Sequence, residues 1–135
     1  MSYTSDPLGK DRYQFTADPL PPPLNEIVLT TWISDTTDEL IAGKYLMNFS
    51  FIVNQDRTNR TAYYQLWIDG VQSGAEFSKE SKDTADGFPM AQNAILLTFP
   101  TDGTHLIELK ARVSNQQLDL TLSRYSHTLV FWQPI

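Results

Sequence analysis

The chain has 135 residues, about the size of one domain, and only 19% of them are charged. Its formal net charge is −6 and its ten Lys and Arg residues are scattered, so we expect no binding to nucleic acid. The lack of cysteine excludes disulfides, thiolate catalysis and thiolate metal ligands. The first residues lack the features of a signal peptide, and no apolar run approaches the ~18 residues of a membrane-spanning helix, so we expect no membrane partner.

Residues 1–25 differ in composition from the rest of the chain. Three consecutive prolines at 21–23 favour an extended polyproline conformation and cannot join a β-ladder. Tyr3, Tyr13 and Phe15 lie in the same segment, and such large apolar groups are unusual in a purely flexible tail. The segment predicts an extended N-terminal arm, whose aromatic side chains lie either on a neighbouring subunit or back on its own domain.

Residues 26–135 predict a single antiparallel β-sandwich. Apolar residues alternate with polar ones in several runs that are separated by turn residues, a pattern typical of sandwiches and barrels. The clearest inward face is that of Tyr45, Met47, Phe49, Phe51 and Val53. The predicted strands cover residues 26–33, 44–53, 61–69, 71–78, 89–99, 105–113, 118–123 and 128–132.

The connections between the strands are predicted from their polar residues and glycines. Asp69-Gly70 predicts a two-residue hairpin, and Gly74 predicts a bulge in the strand that follows. Residues 79–87 predict an exposed loop, and a short helical turn is expected around residues 36–41.

Two features bear on association with other proteins. Tyr63 and Trp67 fall on the outward face of their strand, where they fit either a subunit contact or a second packed sheet. The final strand, which includes Phe131 and Trp132, is apolar on both faces, so it belongs either in the core or against another subunit.

No arrangement of residues predicts catalysis, and we expect no cofactor and no enzymatic activity. The two histidines, His105 and His127, lie on different strands, and a lone His on an apolar face is usually structural rather than a metal ligand. Glycan binding is the main alternative, because sugars stack on exposed aromatic rings. Trp67 and Tyr63, with the amides of Gln65 and Gln72, are one candidate set for this; Trp32 and Trp132 are others.

Three fragments suggest a family: Ala42-Gly43-Lys44-Tyr45, Leu66-Trp67-Ile68-Asp69-Gly70, and residues 102–109. With the order of elements over residues 40–135, they resemble jelly-roll domains of the tumour-necrosis-factor-like and C1q-like kind. The chain is also similar to small capsid-decorating or tail-associated proteins of tailed bacteriophages.

The resemblance implies a homotrimer on a virion. We expect a non-enzymatic capsid decoration or cement protein, which binds and stabilises the assembled shell through its arm and the base of its sandwich by contacting the major capsid protein or another virion protein. The alternative is a receptor- or carbohydrate-binding module at a tail or fibre tip. The residues predicted to form interfaces are Tyr3, Tyr13, Phe15, Tyr63, Trp67, Phe131 and Trp132.

Overall fold

The computed structural model describes residues 12–81 and 85–132, with side chains omitted for residues 85–94. The described chain forms eight strands in two four-stranded antiparallel sheets. Sheet A has the order β1-β8-β3-β6, and sheet B has the order β2-β7-β4-β5. The strands are β1 (Arg12–Thr16), β2 (Thr30–Thr36), β3 (Gly43–Gln55), β4 (Arg60–Ile68), β5 (Val71–Ser81), β6 (Ala85–Phe99), β7 (Leu106–Val113) and β8 (Leu120–Phe131).

This strand order is that of a jelly roll. Among the described strands, only β4 and β5 are both consecutive in the chain and paired within one sheet. Every other connection crosses from one sheet to the other, as in the paired Greek keys of the double-sheet jelly roll. The predicted jelly-roll-like β-sandwich is therefore confirmed.

The core lies between the two sheets. Tyr45, Met47, Phe49, Phe51 and Val53 of β3 are all buried, which confirms the face predicted from their alternation. Alternate residues of β4 and β7 cover them from sheet B: Ala62, Tyr64, Leu66, Ile68, Ile107, Leu109, Ala111 and Val113.

The predicted hairpin and bulge are both present in sheet B. Asp69 and Gly70 join β4 to β5 with φ angles of 51° and 78°, as a two-residue turn with two left-handed residues requires. The register of β4 against β5 shifts between Tyr64 and Leu66, opposite Gly74, whose φ is 78°. Because the residue at the bulge is a glycine, the edge strand β5 has no side chain at this position.

The predicted arm needs correction for residues 12–25, which lie on the sandwich itself. Arg12–Thr16 pairs with β8 as an edge strand of sheet A. Tyr13 is buried, and Phe15 packs against the same core. Leu24 is buried and bonded through its backbone to Leu120. Tyr3 lies outside the described residues.

Other boundaries also differ from the prediction. The helical turn expected at 36–41 is absent, because Thr37 and Leu40 bond through their backbones to the extended segment at His105 and Gly103. The loop expected at 79–87 instead includes the end of β5 and the start of β6. The strands predicted at 118–123 and 128–132 belong to one strand, β8, whose register shifts opposite Ile52 and Val53.

Candidate functional site

The outer face of sheet B combines aromatic, amide and charged side chains. Tyr63, Gln65 and Trp67 of β4 point outward because Tyr64 and Leu66 between them point into the core. Four charged side chains of the neighbouring strands join them on this face. The "sheet B face" consists of Tyr63, Gln65, Trp67, Glu76, Glu108, Lys110 and Arg112.

A cation lies over each aromatic ring of the sheet B face. Nζ of Lys110 is 4.0 Å from the centroid of the Trp67 ring, and Cζ of Arg112 is 3.9 Å from that of Tyr63. Such contacts are electrostatically favourable, since the ring face carries partial negative charge. They hold both rings in defined positions. No further sheet of the described chain covers Tyr63 and Trp67, because its strands form only two sheets and these residues lie on the outer face of one of them.

A chain of hydrogen bonds connects Trp67 to Arg112, the cation that lies over the Tyr63 ring. Nε1 of Trp67 donates to Oε1 of Gln65 at 2.9 Å, and Nε2 of Gln65 donates to Oε2 of Glu76 at 2.6 Å. The other oxygen of Glu76 accepts a bond of 3.2 Å from Arg112. The polar side chains of this face are therefore pre-oriented, which lowers the entropy that a ligand would have to remove.

A pocket of about 230 Å³ opens beside β2. The prolines at 21–23 form one wall, which is rigid because each ring fixes its φ angle. The Trp32 ring lies at the wall, since its Nε1 donates to the carbonyl of Pro22 at 3.0 Å. The other lining residues are Leu24, Asn25, Glu26, Thr30 and Thr31. We call this the Pro22 pocket.

The outer face of sheet A has an apolar patch at one end. Leu46 of β3 pairs with Val130 of β8 on one side and with Leu96 of β6 on the other. Trp132 follows on the same face, and its backbone N–H donates to Lys44. Leu96 is 53% exposed and Trp132 is 46% exposed, whereas Leu46 and Val130 are half-buried. We call Leu46, Leu96, Val130 and Trp132 the sheet A patch.

A buried polar cluster lies between the two sheets. The hydroxyl of Tyr13 donates to Oδ2 of Asp35 at 2.5 Å, and the same oxygen is 3.3 Å from Nε2 of His127. That second contact lacks hydrogen-bond geometry, so within the described residues neither His127 nitrogen has a hydrogen-bond partner. Tyr125 completes the "Asp35 cluster", with its ring 5.8 Å from that of His127.

Burial determines the protonation of the Asp35 cluster. Desolvation lowers the pKa of His127 to about 4, so this ring is neutral at pH 7. Desolvation also raises the pKa of Asp35, although the hydrogen bond from Tyr13 opposes that rise. Burial and the Asp35 carboxylate raise the pKa of Tyr13, which is protonated and can donate.

His105 belongs to a separate, structural contact. Its ring stacks on Phe99 with centroids 3.7 Å apart, and Nδ1 is 2.7 Å from Oδ2 of Asp69. The other oxygen of Asp69 accepts the N–H of Leu106 at 2.9 Å. The arrangement ties the β4–β5 hairpin to the start of β7.

The predicted interface residues are divided among these features. Tyr13 and Phe15 lie in the protein's own core, while Tyr63 and Trp67 lie together on the sheet B face. Phe131 points inward, with its ring 5.3 Å from that of Tyr45, and Trp132 belongs to the sheet A patch. The sequence reasoning missed the outward positions of Leu46, Leu96 and Val130, and it missed the Pro22 pocket.

Two classes of site are not found in the described part of the chain. No group of three or more His, Asp or Glu side chains there is arranged to hold a metal ion. No helix over the same residues is both long and apolar enough to span a membrane.

Comparisons with known proteins inform the fold. No protein-family model matches the chain, and no curated protein sequence matches it. VP2 of infectious bursal disease virus, solved as a subviral particle, is 13% identical with a TM-score of 0.60 over 89% of this chain. A structure of the T13 particle of the same virus matches at 10% identity, a TM-score of 0.60 and 91% coverage. This chain spans only 32% of either viral chain.

A sugar-binding domain has a similar fold. The C-terminal domain of EclA, described as a sugar-binding protein, is 14% identical with a TM-score of 0.54. The match covers 84% of this chain and 76% of that domain. At these identities the likeness concerns the fold alone. The chain is thus a jelly-roll β-sandwich whose structural neighbours include viral particle proteins and a sugar-binding domain.

Proposed function

We propose that this chain is a non-enzymatic structural protein of a virion, which decorates or cements an assembled capsid as a homotrimer. The observation that best supports this proposal is the sheet A patch. Outer faces of sandwich strands are normally polar, and an apolar row across three strands is typical of a protein contact. The jelly-roll fold, shared with viral particle proteins, is consistent with the proposal.

In this proposal the occupant of the sheet A patch is a second copy of the chain. Three copies are the number implied by the resemblance to tumour-necrosis-factor-like and C1q-like domains. A trimer that binds only the assembled shell would stabilise it, because a ligand specific for one state shifts the equilibrium toward that state.

Light scattering over a dilution series tests the trimer. The expected mass is three times the 15.4 kDa of the single chain. Changing Leu96 and Trp132 together to serine should return the mass to that of one chain. Val71→Ser is the matched control, since Val71 is 67% exposed but lies on sheet B next to the hairpin. A monomeric natural chain, or a trimer that persists in the double variant, would contradict the proposed contact.

Immunolabelling tests the virion assignment. An antibody raised against the purified protein should decorate the surface of particles concentrated from a culture that carries this sequence. Particles that bind no antibody, although the protein is present in the same culture, would overturn the assignment.

A second candidate function is that of a receptor- or carbohydrate-binding module at a phage tail or fibre tip. The observation that favours it is the sheet B face, where two aromatic rings and an amide are already fixed by neighbouring charges. A glycan array tests it directly. Binding that disappears in Trp67→Ala would support it, and an array without any bound glycan would count against it.

A further inference from the structure

The Pro22 pocket and the sheet B face meet at Thr31. This residue lines the pocket, and its hydroxyl donates to Oε2 of Glu108 at 2.9 Å. Glu108 is the direct cross-strand neighbour of Trp67. Thr31 itself pairs with Lys110, whose ammonium group lies over Trp67. Pocket and face therefore form one continuous surface along sheet B.

The charges on this surface cancel on the sheet itself. Glu76 and Glu108 oppose Lys110 and Arg112, and both cations are already engaged with aromatic rings. The chain as a whole has a net charge of −6, so it repels anionic ligands at long range. A neutral ligand is not repelled by this net charge, and it does not need a free cation on the surface.

The spacing of the rings favours an extended ligand. Tyr63 and Trp67 lie four residues apart on one strand, a separation of about 13 Å. One sugar ring cannot reach both, whereas a short chain of sugars can. Two outward positions of the neighbouring strand lie between them: Gly74, which has no side chain, and Glu76, whose carboxylate can accept a bond from a sugar hydroxyl.

The chemistry of the surface fits a sugar better than a protein partner. The centres of protein interfaces are depleted of charged residues. Here four charged side chains stand among the aromatic rings. Sugars present apolar C–H faces to aromatic rings and hydroxyl groups to amides and carboxylates. Gln65 and Glu76 on the face, and Asn25 and Glu26 at the pocket, provide such groups.

We propose that this surface binds a neutral oligosaccharide, with one sugar in the Pro22 pocket and the following sugars along Trp67 toward Tyr63. The inference rests on the second function proposed above and adds to it the ligand class and the pocket. It is independent of the sheet A patch, which lies on the other sheet.

The test begins with an array of neutral and acidic oligosaccharides, followed by calorimetry with the best neutral ligand. Trp67→Ala removes the aromatic ring on which a sugar would stack. Asn25→Phe places a ring at the exposed mouth of the pocket. Each should weaken binding by at least about tenfold, which corresponds to about 1.4 kcal/mol. Val71→Ser is the control, because it removes an exposed apolar side chain that belongs to neither the pocket, the sheet B face nor the sheet A patch, and it should leave the affinity unchanged. Trp67→Leu serves if the alanine variant fails to fold.

The outcomes distinguish a failure of this inference from a failure of the carbohydrate-binding function. Loss of binding in both site variants, with the control unchanged, supports the proposal. If only acidic glycans bind, and Trp67→Ala abolishes that binding, the proposal of a neutral ligand is wrong. The carbohydrate-binding function would still stand. If Asn25→Phe does not weaken binding, the Pro22 pocket does not hold one of the sugars. An array without any bound glycan would overturn both the inference and the function.

Discussion

The hydroxyl of Tyr13 donates a hydrogen bond of 2.5 Å to Oδ2 of Asp35, and this bond joins an edge strand of each sheet. Tyr13 lies on β1 of sheet A and Asp35 on β2 of sheet B. The carboxylate is nearly buried, with its side chain 10% exposed. A buried carboxylate needs such a donor, because it has left its hydration shell.

Loss of this hydroxyl should destabilise the fold. Tyr13→Phe removes the donor and leaves the ring in place, so the Asp35 carboxylate loses a charge-assisted bond. We expect the free energy of unfolding to fall by about 2 kcal/mol, as measured by urea denaturation. Tyr63→Phe, on the sheet B face, is the control and should change stability little. Equal stability of the two variants would show that the bond contributes nothing.

Stability should also depend on pH through His127. Burial lowers the pKa of this ring to about 4 in the folded protein, compared with about 6.5 in the unfolded chain. Between these values the unfolded chain binds the proton more tightly. Stability from this group is therefore fully present above pH ~6.5 and is lost as the pH falls toward ~4, by roughly 3 kcal/mol in all.

Asp35 has the opposite effect on the pH dependence of stability. Because its pKa is raised in the folded protein, protonation of Asp35 favours the fold as the pH falls. Urea denaturation from pH 4 to 7 separates the two groups. His127→Phe should flatten the fall in stability, and Asp35→Asn should steepen it relative to the natural chain. A His127→Phe curve parallel to the natural one would refute the assignment.

Removal of residues 1–25 should damage the domain. This truncation deletes β1, with buried Tyr13 and Leu24 and partly buried Phe15. Burial of each large apolar side chain contributes about 1.5 to 3 kcal/mol, so the loss should be at least about 4 kcal/mol. Since small domains are stable by only about 5 to 15 kcal/mol, the truncated chain should be largely unfolded or marginal by circular dichroism. A chain that begins at Arg12 keeps β1 and is the control.

Gly70 should tolerate asparagine better than alanine. Its φ is 78°, and a Cβ built on it has no neighbour within 4 Å, so a substitution there tests the backbone alone. Gly70→Ala should cost about 1 to 2 kcal/mol, since left-handed φ angles are strained for most residues. Gly70→Asn should cost less, because Asn adopts this conformation more readily. Equal losses for the two variants in urea denaturation would point to a cause other than φ.

Local patterns in the sequence predicted the parts of the fold that depend on neighbouring residues. The alternation from Tyr45 to Val53 gave the inward face of β3, and Asp69-Gly70 gave the hairpin. Tyr63 and Trp67 were assigned outward by the same rule. Arg12–Thr16 has the same alternation, but five residues beside several prolines are a weak strand signal. Its pairing with β8 depends on residues more than a hundred positions away.

The candidate sites depend on contacts that no local pattern contains. The sheet A patch arises because Leu46 has Val130 on one side and Leu96 on the other. Thr31 and Glu108 meet only because β2 and β7 are neighbours in sheet B. The Asp35 cluster requires both sheets to be in place. Sequence reasoning found the aromatic half of the sheet B face and could not find the pocket beside it.

The pairing of β1 with β8 also has a consequence for synthesis of the chain. Arg12 is made before its cross-strand neighbour Val130, which lies more than a hundred residues further along the chain. At about 5 to 20 residues per second, a ribosome needs roughly 6 to 24 seconds to pass from one to the other. During that interval Tyr13 and Phe15 have no β8 to cover them. Sheet A therefore cannot be completed until β8 has been made, and a nascent chain is exposed to misassembly until then.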